Sequence, residues 1–513
     1  MNTPVLELQQ VGVREGARRR ARWPLRNLDL VVAKGDVLGV AGIGKSLLLE
    51  LACGWRAPDE GRVLIDGYVS LRLPSAVSAD VVWLGEGLPR WPRLKVLEAL
   101  SLQSTLHAGT QNKAELYAAL ETVGLAGRAA TSCRCLTADE MRRLQLALLW
   151  MCSPRLVLID AAVLNVDDTL TEAVCRRIQA LAQAGTAFVL AVVEPRWAEA
   201  CKRLLWLPEG RGIDAEQMPS LKTVIAAAGR DRALSLAHGI SARVVSGEPG
   251  AVRLVAAADD RWPEDVEIVT RPPTLGDAFV WQATGRLGNK VVPERSQAAN
   301  EFLLRLALPG LREIVAGVEA QDELHLRNGE IAALTGDDAG ELLAALAEGR
   351  RVDGVPVEVL GHKRADFALR SRIGYLPPQP PAQMDYPAQA WLGWRAGVFG
   401  VSVKQASAQI LDWSQRFGLQ AALSRPWETL RFAEKRLLQI LAAWFQRPAL
   451  VLLDRPFAGL DPRQSEILRF ALLEWAAQGA GVVYHAGHRG ETWFADRAYA
   501  LQSLPAAGRE VRA

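Results

Sequence analysis

Two distant stretches share one pattern of apolar and polar positions. Residues 34–51 read KGDVLGVAGIGKSLLLEL and residues 328–343 read NGEIAALTGDDAGELL. Each has a polar turn at Gly35 or Gly329, a short apolar run, a glycine turn at Gly42 or Gly336, and leucines at helical spacing. The repeat predicts strands over 36–41 and 330–335, each running into a helix. Val5–Gln9 and Leu25–Val32 alternate or run apolar around an arginine-rich tip, which suits a pair of antiparallel strands. Residues 110–130 are helical by periodicity, and Leu156–Asp160, Phe188–Val193 and Leu450–Asp454 are buried-strand runs. The strand, glycine turn and helix recur in two copies, an α/β order. Residues 288–300, GNKVVPERSQAAN, are polar and aperiodic and read as a linker.

Composition narrows the partners. The 513 residues, 50% apolar and 23% charged, suit two to four globular domains. A net charge of +3 is too balanced to point to nucleic acid. Arg18, Arg19, Arg20 and Arg22 read as a solvated hairpin tip. There is no N-terminal charged-then-apolar signal, and no apolar run approaches the roughly eighteen residues of a membrane span, so the expected location is cytoplasmic. All six cysteines precede residue 202, and Cys133 and Cys135 lack a second ligand pair, so reduced thiols and no metal cluster are expected.

Gly39–Ser46 satisfies G-x-x-x-x-G-K-S between a strand and a helix. In that setting backbone N–H groups cradle phosphates, the helix N-terminus faces the anion, Lys45 neutralises charge and the Ser46 hydroxyl holds Mg2+. The internal repeat starts the turn at Gly42 instead, which leaves the loop short. Read the same way, the second copy reaches Gly340-Glu341 from Gly336 and has no lysine.

Gly54, Pro58, Gly61, Val63 and Gly67 follow the first helix in the spacing GxxxPxxGxVxxxG, and from here the sequence resembles the ATP-binding cassette (ABC) ATPases. Glu86 stands where that family has its Mg2+-sensing glutamine, and Leu94–Leu100 resembles the segment that opens its helical subdomain. Cys135–Asp160 resembles the signature helix followed by the Walker B strand. The signature reads Leu136-Thr137-Ala138-Asp139-Glu140 without its glycines, Asp160 keeps the Mg2+ carboxylate, and Ala161 replaces the catalytic glutamate. Asp167 matches the D-loop aspartate and Glu194 replaces the switch histidine. Pro272–Val280 with Thr284-Gly285 resembles the tail of type-2 exporter subunits. In the second copy Ile373–Gln379 matches the glutamine strand, with Pro378 in the glutamine position, and Leu430–Glu434 replaces the signature. Asp454, Asp461 and His488 fall on the Walker B, D-loop and switch positions, and Arg455 replaces the glutamate.

The resemblance implies two P-loop NTPase cassettes in tandem, each with a RecA-like parallel-sheet core, an antiparallel β subdomain and a helical subdomain. Expected boundaries are 1–207 for the first cassette, 208–287 for its exporter-like extension, 288–300 for the linker and 301–513 for the second cassette. It also implies head-to-tail pairing within the chain. One nucleotide site would combine Gly42, Gly44, Lys45, Ser46 and Asp160 with Leu430–Glu434 and Asp461 from the other cassette, Mg2+ lying on Ser46 and Asp160. The other would combine Gly336, Gly340, Asp454 and His488 with Leu136–Glu140 from the first cassette, Mg2+ lying on Asp454. With the glutamate missing from both, ATP and Mg2+ are expected at the first P-loop only, with hydrolysis impaired or absent. The implied function is the ATP-binding subunit of an exporter, held peripherally at the cytoplasmic membrane by a separately encoded permease. A non-hydrolysing scaffold or regulator of such a transporter is the alternative, followed by a soluble assembly or ribosome-associated ATPase. Residues 86–94 and 379–391, with Trp91, Pro92, Pro380, Pro381 and Trp391, would dock the membrane partner or pack on their own helical subdomain. Trp23 is the one candidate to stack on adenine.

Overall fold

A computed structural model of the chain describes residues 4–15, 22–85, 93–108, 112–160, 164, 166–207, 211–214, 221–239, 242–248, 250–263, 266–284, 301–308, 311–315, 318–321, 323–336, 338–350, 357–362, 369, 371–378 and 386–502. They form two compact units: residues 1–221 with 273–283, and residues 222–272 with 284–513.

In the first unit, β1 (Pro4–Glu15) and β2 (Arg22–Ala33) are the antiparallel pair expected from their alternation. The next elements are β3 (Val37–Gly42), helix α1 (Lys45–Ala52), β4 (Glu60–Ile65), β5 (Tyr68–Val69) and β6 (Val81–Leu84). Then come β7 (Leu156–Ile159), β8 (Ala187–Ala191), β9 (Arg203–Leu207) and β10 (Arg211–Asp214). One sheet runs β2-β1-β4-β5, and the other runs β10-β9-β3-β8-β7-β6 with all pairs parallel from β9 to β6. The central strands are apolar at every position because helices cover both faces. Leu47, Leu48, Leu49 and Leu51 of α1 join the core formed with Leu38, Val40, Leu158 and Val189.

The second unit opens with an antiparallel sheet of β11 (Leu221–Ala226), β12 (Arg243–Glu248), β13 (Ala251–Ala257) and β14 (Ile268–Arg271), in the order β12-β13-β11-β14. The 208–287 segment, expected as an extension of the first cassette, is thus divided. Residues 222–272 belong to the second unit and 273–283 to the first. The physical reason is a shared core: Ala226, Leu236, Val252 and Leu254 pack into one apolar cluster with Phe470, Trp493 and Phe494.

Next are β15 (Phe302–Leu306), β16 (Leu311–Val315), β17 (Val318–Gln321), β18 (Leu324–Arg327) and β19 (Ile331–Thr335). The last are β20 (Val357–Val359), β21 (Ile373–Leu376), β22 (Leu450–Asp454), β23 (Gly481–His485) and β24 (Arg497–Leu501). They form a β18-β15-β20 sheet and a β17-β16-β24-β19-β23-β22-β21 sheet that is parallel from β24 to β21. Trp391, a candidate docking residue, is buried against Trp427 at 4.3 Å between ring centroids, which makes it core. Trp91, Pro92, Pro380 and Pro381 lie outside the described residues. Among the described residues no helix is long and apolar enough to cross a membrane.

Candidate functional site

In parallel α/β sheets the chemistry gathers at the carboxyl ends of the strands. The carboxyl ends of β3 and β7 carry the first candidate site, and those of β19, β22 and β23 the second.

β3 ends at Gly42, whose φ of +86° and proximity to β9 both require glycine: a Cβ there would fall on the Leu207 carbonyl oxygen. Only Ile43 and Gly44 separate it from α1, which starts at Lys45. The Ile43 N–H donates to the Leu207 carbonyl at 3.3 Å, so the β9 edge takes a donor that a phosphate cradle would use, and the Ile43 side chain is exposed. Lys45 and Ser46 are half-buried on the first turn of α1. Asp160 follows β7, and its N–H donates to Leu84 at 2.8 Å. These residues fit a small set of contacts to phosphate and Mg2+ at a helix N-terminus rather than a wrapped triphosphate. Glu86 and Ala161 lie outside the described residues.

The neighbouring landmarks are engaged within their own unit. Asp167 caps the helix Asp168–Ala184, accepting from the Leu170 N–H at 2.9 Å and from Arg143 Nη2 at 2.6 Å. Arg143 Nε also donates to Asp139 of the signature segment at 2.8 Å. Thr137 and Glu140 form a capping box at the signature helix, and Arg128 pairs with Glu140. Glu194 accepts from Arg196 Nε at 2.6 Å. Trp23 packs where a Gly12 Cβ would stand 3.0 Å away, with the Arg14 and Arg26 guanidiniums 5.3 and 5.7 Å from its ring centre, so arginines already approach the ring that was the adenine candidate.

The second site has a different register from the one read in the sequence. β19 runs to Thr335, Gly336 has φ +115°, and the next helix, Ala339–Glu348, begins as far beyond Gly336 as α1 begins beyond Gly42. A Cβ at Gly336 would fall on the Leu501 carbonyl, as one at Gly42 falls on Leu207. Gly340-Glu341 is therefore not the Gly-Lys pair. Ala339 takes the place of Lys45, and Gly340 the place of Ser46. The leucines fix this register, because Leu342 and Leu343 are buried as Leu48 and Leu49 are.

Gly340 lies against Asp454, and a Cβ there would be 2.7 Å from Asp454 Oδ2. A serine at that position has no room beside this carboxylate. Asp454 is 3% exposed and its Oδ1 is 2.8 Å from Nδ1 of His485, itself 4% exposed. Burial alone would raise the Asp454 pKa, but the His485 hydrogen bond and the charges of His485, Arg455 and Arg436 outweigh it and hold the carboxyl below its ordinary value. The residues expected to hold Mg2+ here do not fit it, since the carboxylate is turned to an internal partner.

His485 and Arg436 escaped the sequence reading. His485 ends a buried strand whose register sets it beside Asp454, a pairing made by the sheet and carried by no pattern in the sequence. Arg436, 1% exposed, donates from Nη1 to Pro377 O at 2.6 Å and from Nη2 to Arg455 O at 3.0 Å. It thereby braces Arg455, which has φ +47° in the catalytic-glutamate position. Asp461 caps the helix Pro462–Ala477 through the Gln464 N–H at 2.8 Å, and His488 Nε2 lies 3.7 Å from Glu491. The cysteines are free thiols, and burial pushes Cys53, Cys152 and Cys175 up to about 11, which removes them as nucleophiles at neutral pH.

A parallel sheet whose strand passes through a glycine turn into a helix, with an aspartate ending a nearby strand, defines a P-loop NTPase fold. The family model described as ABC transporter matches residues 25–163. The cytochrome c biogenesis ATP-binding export protein CcmA of Pseudomonas savastanoi is 38% identical over 152 residues, 29% of this chain and 71% of that protein. The probable multidrug ABC transporter ATP-binding protein YbhF of Escherichia coli is 22% identical across 92% of this chain and 87% of its own. The chain belongs to the ABC transporter family of ATP-binding proteins. Two solved structures show the same fold. Ribosome-bound archaeal Pelota and ABCE1 gives TM-score 0.58 at 15% identity, covering 97% of this chain and 77% of that one. The RNase-L inhibitor gives 0.53 at 13%, covering 97% and 88%.

Proposed function

We propose that this chain is the ATP-binding subunit of an exporter-type ABC transporter, with two cassettes paired head to tail in one polypeptide beneath a separately encoded permease, and that it binds ATP without turning it over at an appreciable rate. The observation that carries this reading is the second site, where Ala339 and Gly340 replace the lysine and serine and Asp454 is committed to His485. The first site keeps Gly42, Gly44, Lys45, Ser46 and Asp160 on a turn of two residues, so nucleotide binding belongs there alone and is weak. Glu140 and Glu434 cap their own signature helices, which places carboxylates where the family directs N–H groups at phosphate. Arg455, and Ala161 by sequence, leave no base for the attacking water. The match across 92% of this chain to a probable multidrug ABC transporter ATP-binding protein supports the transporter assignment, and the match over 29% of it to an ATP-binding export protein supports the exporter reading.

Lys45→Ala removes a charge-assisted contact of about 1.5–3 kcal/mol, so the Kd for Mg-ATP should rise roughly 10- to 150-fold in calorimetry. The partner is tested by recovering the tagged chain from detergent-solubilised membranes of its own cells. The expected companion is a protein with several membrane spans, retained in EDTA without ATP. Recovery with ribosomes, or with soluble proteins alone, would contradict the assignment.

A further inference from the structure

The residues that follow the switch position are covered in both cassettes by the segment that joins them. In the first unit, the helix Pro195–Glu199 comes directly after Glu194, and the helix Leu275–Thr284 approaches it at Gly276. A Cβ on Gly276 would stand 2.8 Å from both Glu199 Oε1 and the Pro195 carbonyl oxygen, so the approach has room only for glycine. The Thr274 hydroxyl donates to Glu199 Oε1 at 3.0 Å, and Phe279 packs on Trp206 at 5.9 Å.

In the second unit the equivalent stretch is the 3-10 turn Arg489–Phe494 after His488, and β12 lies along it. A Cβ on Gly247 would be 3.1 Å from Trp493 Cβ, and one on Gly490 would be 3.2 Å from Ser246 Cβ. Arg230, on the helix Arg230–Gly239, is 6% exposed; its Nη1 donates to the Phe494 carbonyl at 3.3 Å and its Nη2 pairs with Asp496 at 3.1 Å. Asp496 in turn accepts from the Ile331 N–H at 2.8 Å, at the start of the strand that leads to Gly336. The two covering pieces come from one continuous stretch, in which β14 passes through Pro272-Pro273 into the helix Leu275–Thr284.

We infer that residues 222–284 act as a two-ended strap, holding the post-switch segment of each cassette by its own set of contacts. The placement of Glu194 and His488 is then set by the joining segment rather than by a nucleotide. This does not depend on whether the first site binds ATP.

Amide hydrogen exchange on the full chain tests it, comparing the wild type with Arg230→Ala and Glu199→Ala. Arg230→Ala should speed exchange over 487–496 roughly 5- to 30-fold, the change expected when a few contacts holding a local element are removed. Exchange over 450–454 and 195–200 should stay as in the wild type. Glu199→Ala, at an exposed helical position, should loosen 275–284 and leave 487–496 untouched. Unchanged exchange at both ends, or acceleration spread evenly through β21 and β22, would overturn the strap and make these contacts ordinary core. If Arg230→Ala does not fold, Glu199→Ala decides: no acceleration at 275–284 overturns the inference.

Discussion

Replacing His485 with alanine is expected to destabilise the second unit by about 3–5 kcal/mol, the usual cost of leaving one member of a buried pair without the other. At about 2–4 °C per kcal/mol for a unit of this size, its melting temperature should fall by roughly 6–20 °C. Asp454 and His485 are each less than 5% exposed and 2.8 Å apart, so water cannot replace the lost partner. His485→Asn, which keeps a donor near Asp454, should recover part of the loss. The pH dependence has a fixed sign. Asp454 is held below its unfolded pKa, so its contribution is fully present above the ordinary carboxylate range and is lost as pH falls through and below that range. Without His485 the acid transition should begin at higher pH. Thermal melts across pH 3–7 measure both effects. A variant that melts like the wild type would mean that Asp454 finds its stabilisation elsewhere.

Gly42→Ala should cost the first unit about 3–5 kcal/mol, among the larger effects of a single substitution. Two strains add there: a left-handed backbone at φ +86°, worth about 1–2 kcal/mol for an L-residue, and a methyl group driven onto the Leu207 carbonyl. Gly67 separates them, because it has φ +80° with nothing within 4 Å of its Cβ. Gly67→Ala should therefore cost only the backbone part. Denaturant titrations of the two variants give the comparison, and equal costs would mean that β9 moves aside for the methyl group.

Much of the fold was legible because each landmark was also a structural necessity. Gly42 and Gly336 mark turns that only glycine can make against β9 and β24, and Asp160 and Asp454 follow apolar runs that could only be buried strands. The register of the second turn was not legible from the Gly-Lys motif, since Gly340-Glu341 imitates it. The better guide was the constant interval between copies. The spacing that takes Gly35 to Gly329 and Asp160 to Asp454 also takes Lys45 to Ala339 and Ser46 to Gly340. His485 was hidden because its role depends on β23 lying beside β22, a pairing that residue patterns do not give. The division of the joining segment was hidden for a similar reason: its apolar positions announce that they are buried but not against which unit. Asp167 and Asp461 match D-loop positions in the sequence, and their local work in the structure is to cap helices, a role any aspartate at a helix start can fill.

With one residual nucleotide site per chain and no appreciable turnover proposed, the most direct test is Mg-ATP calorimetry with a parallel phosphate-release assay on the full chain. The expected result is weak binding of at most one nucleotide, lost in Lys45→Ala and unchanged in Asp454→Asn, with phosphate release at background. Two nucleotides per chain, or phosphate release that Lys45→Ala or Asp454→Asn abolishes, would contradict it.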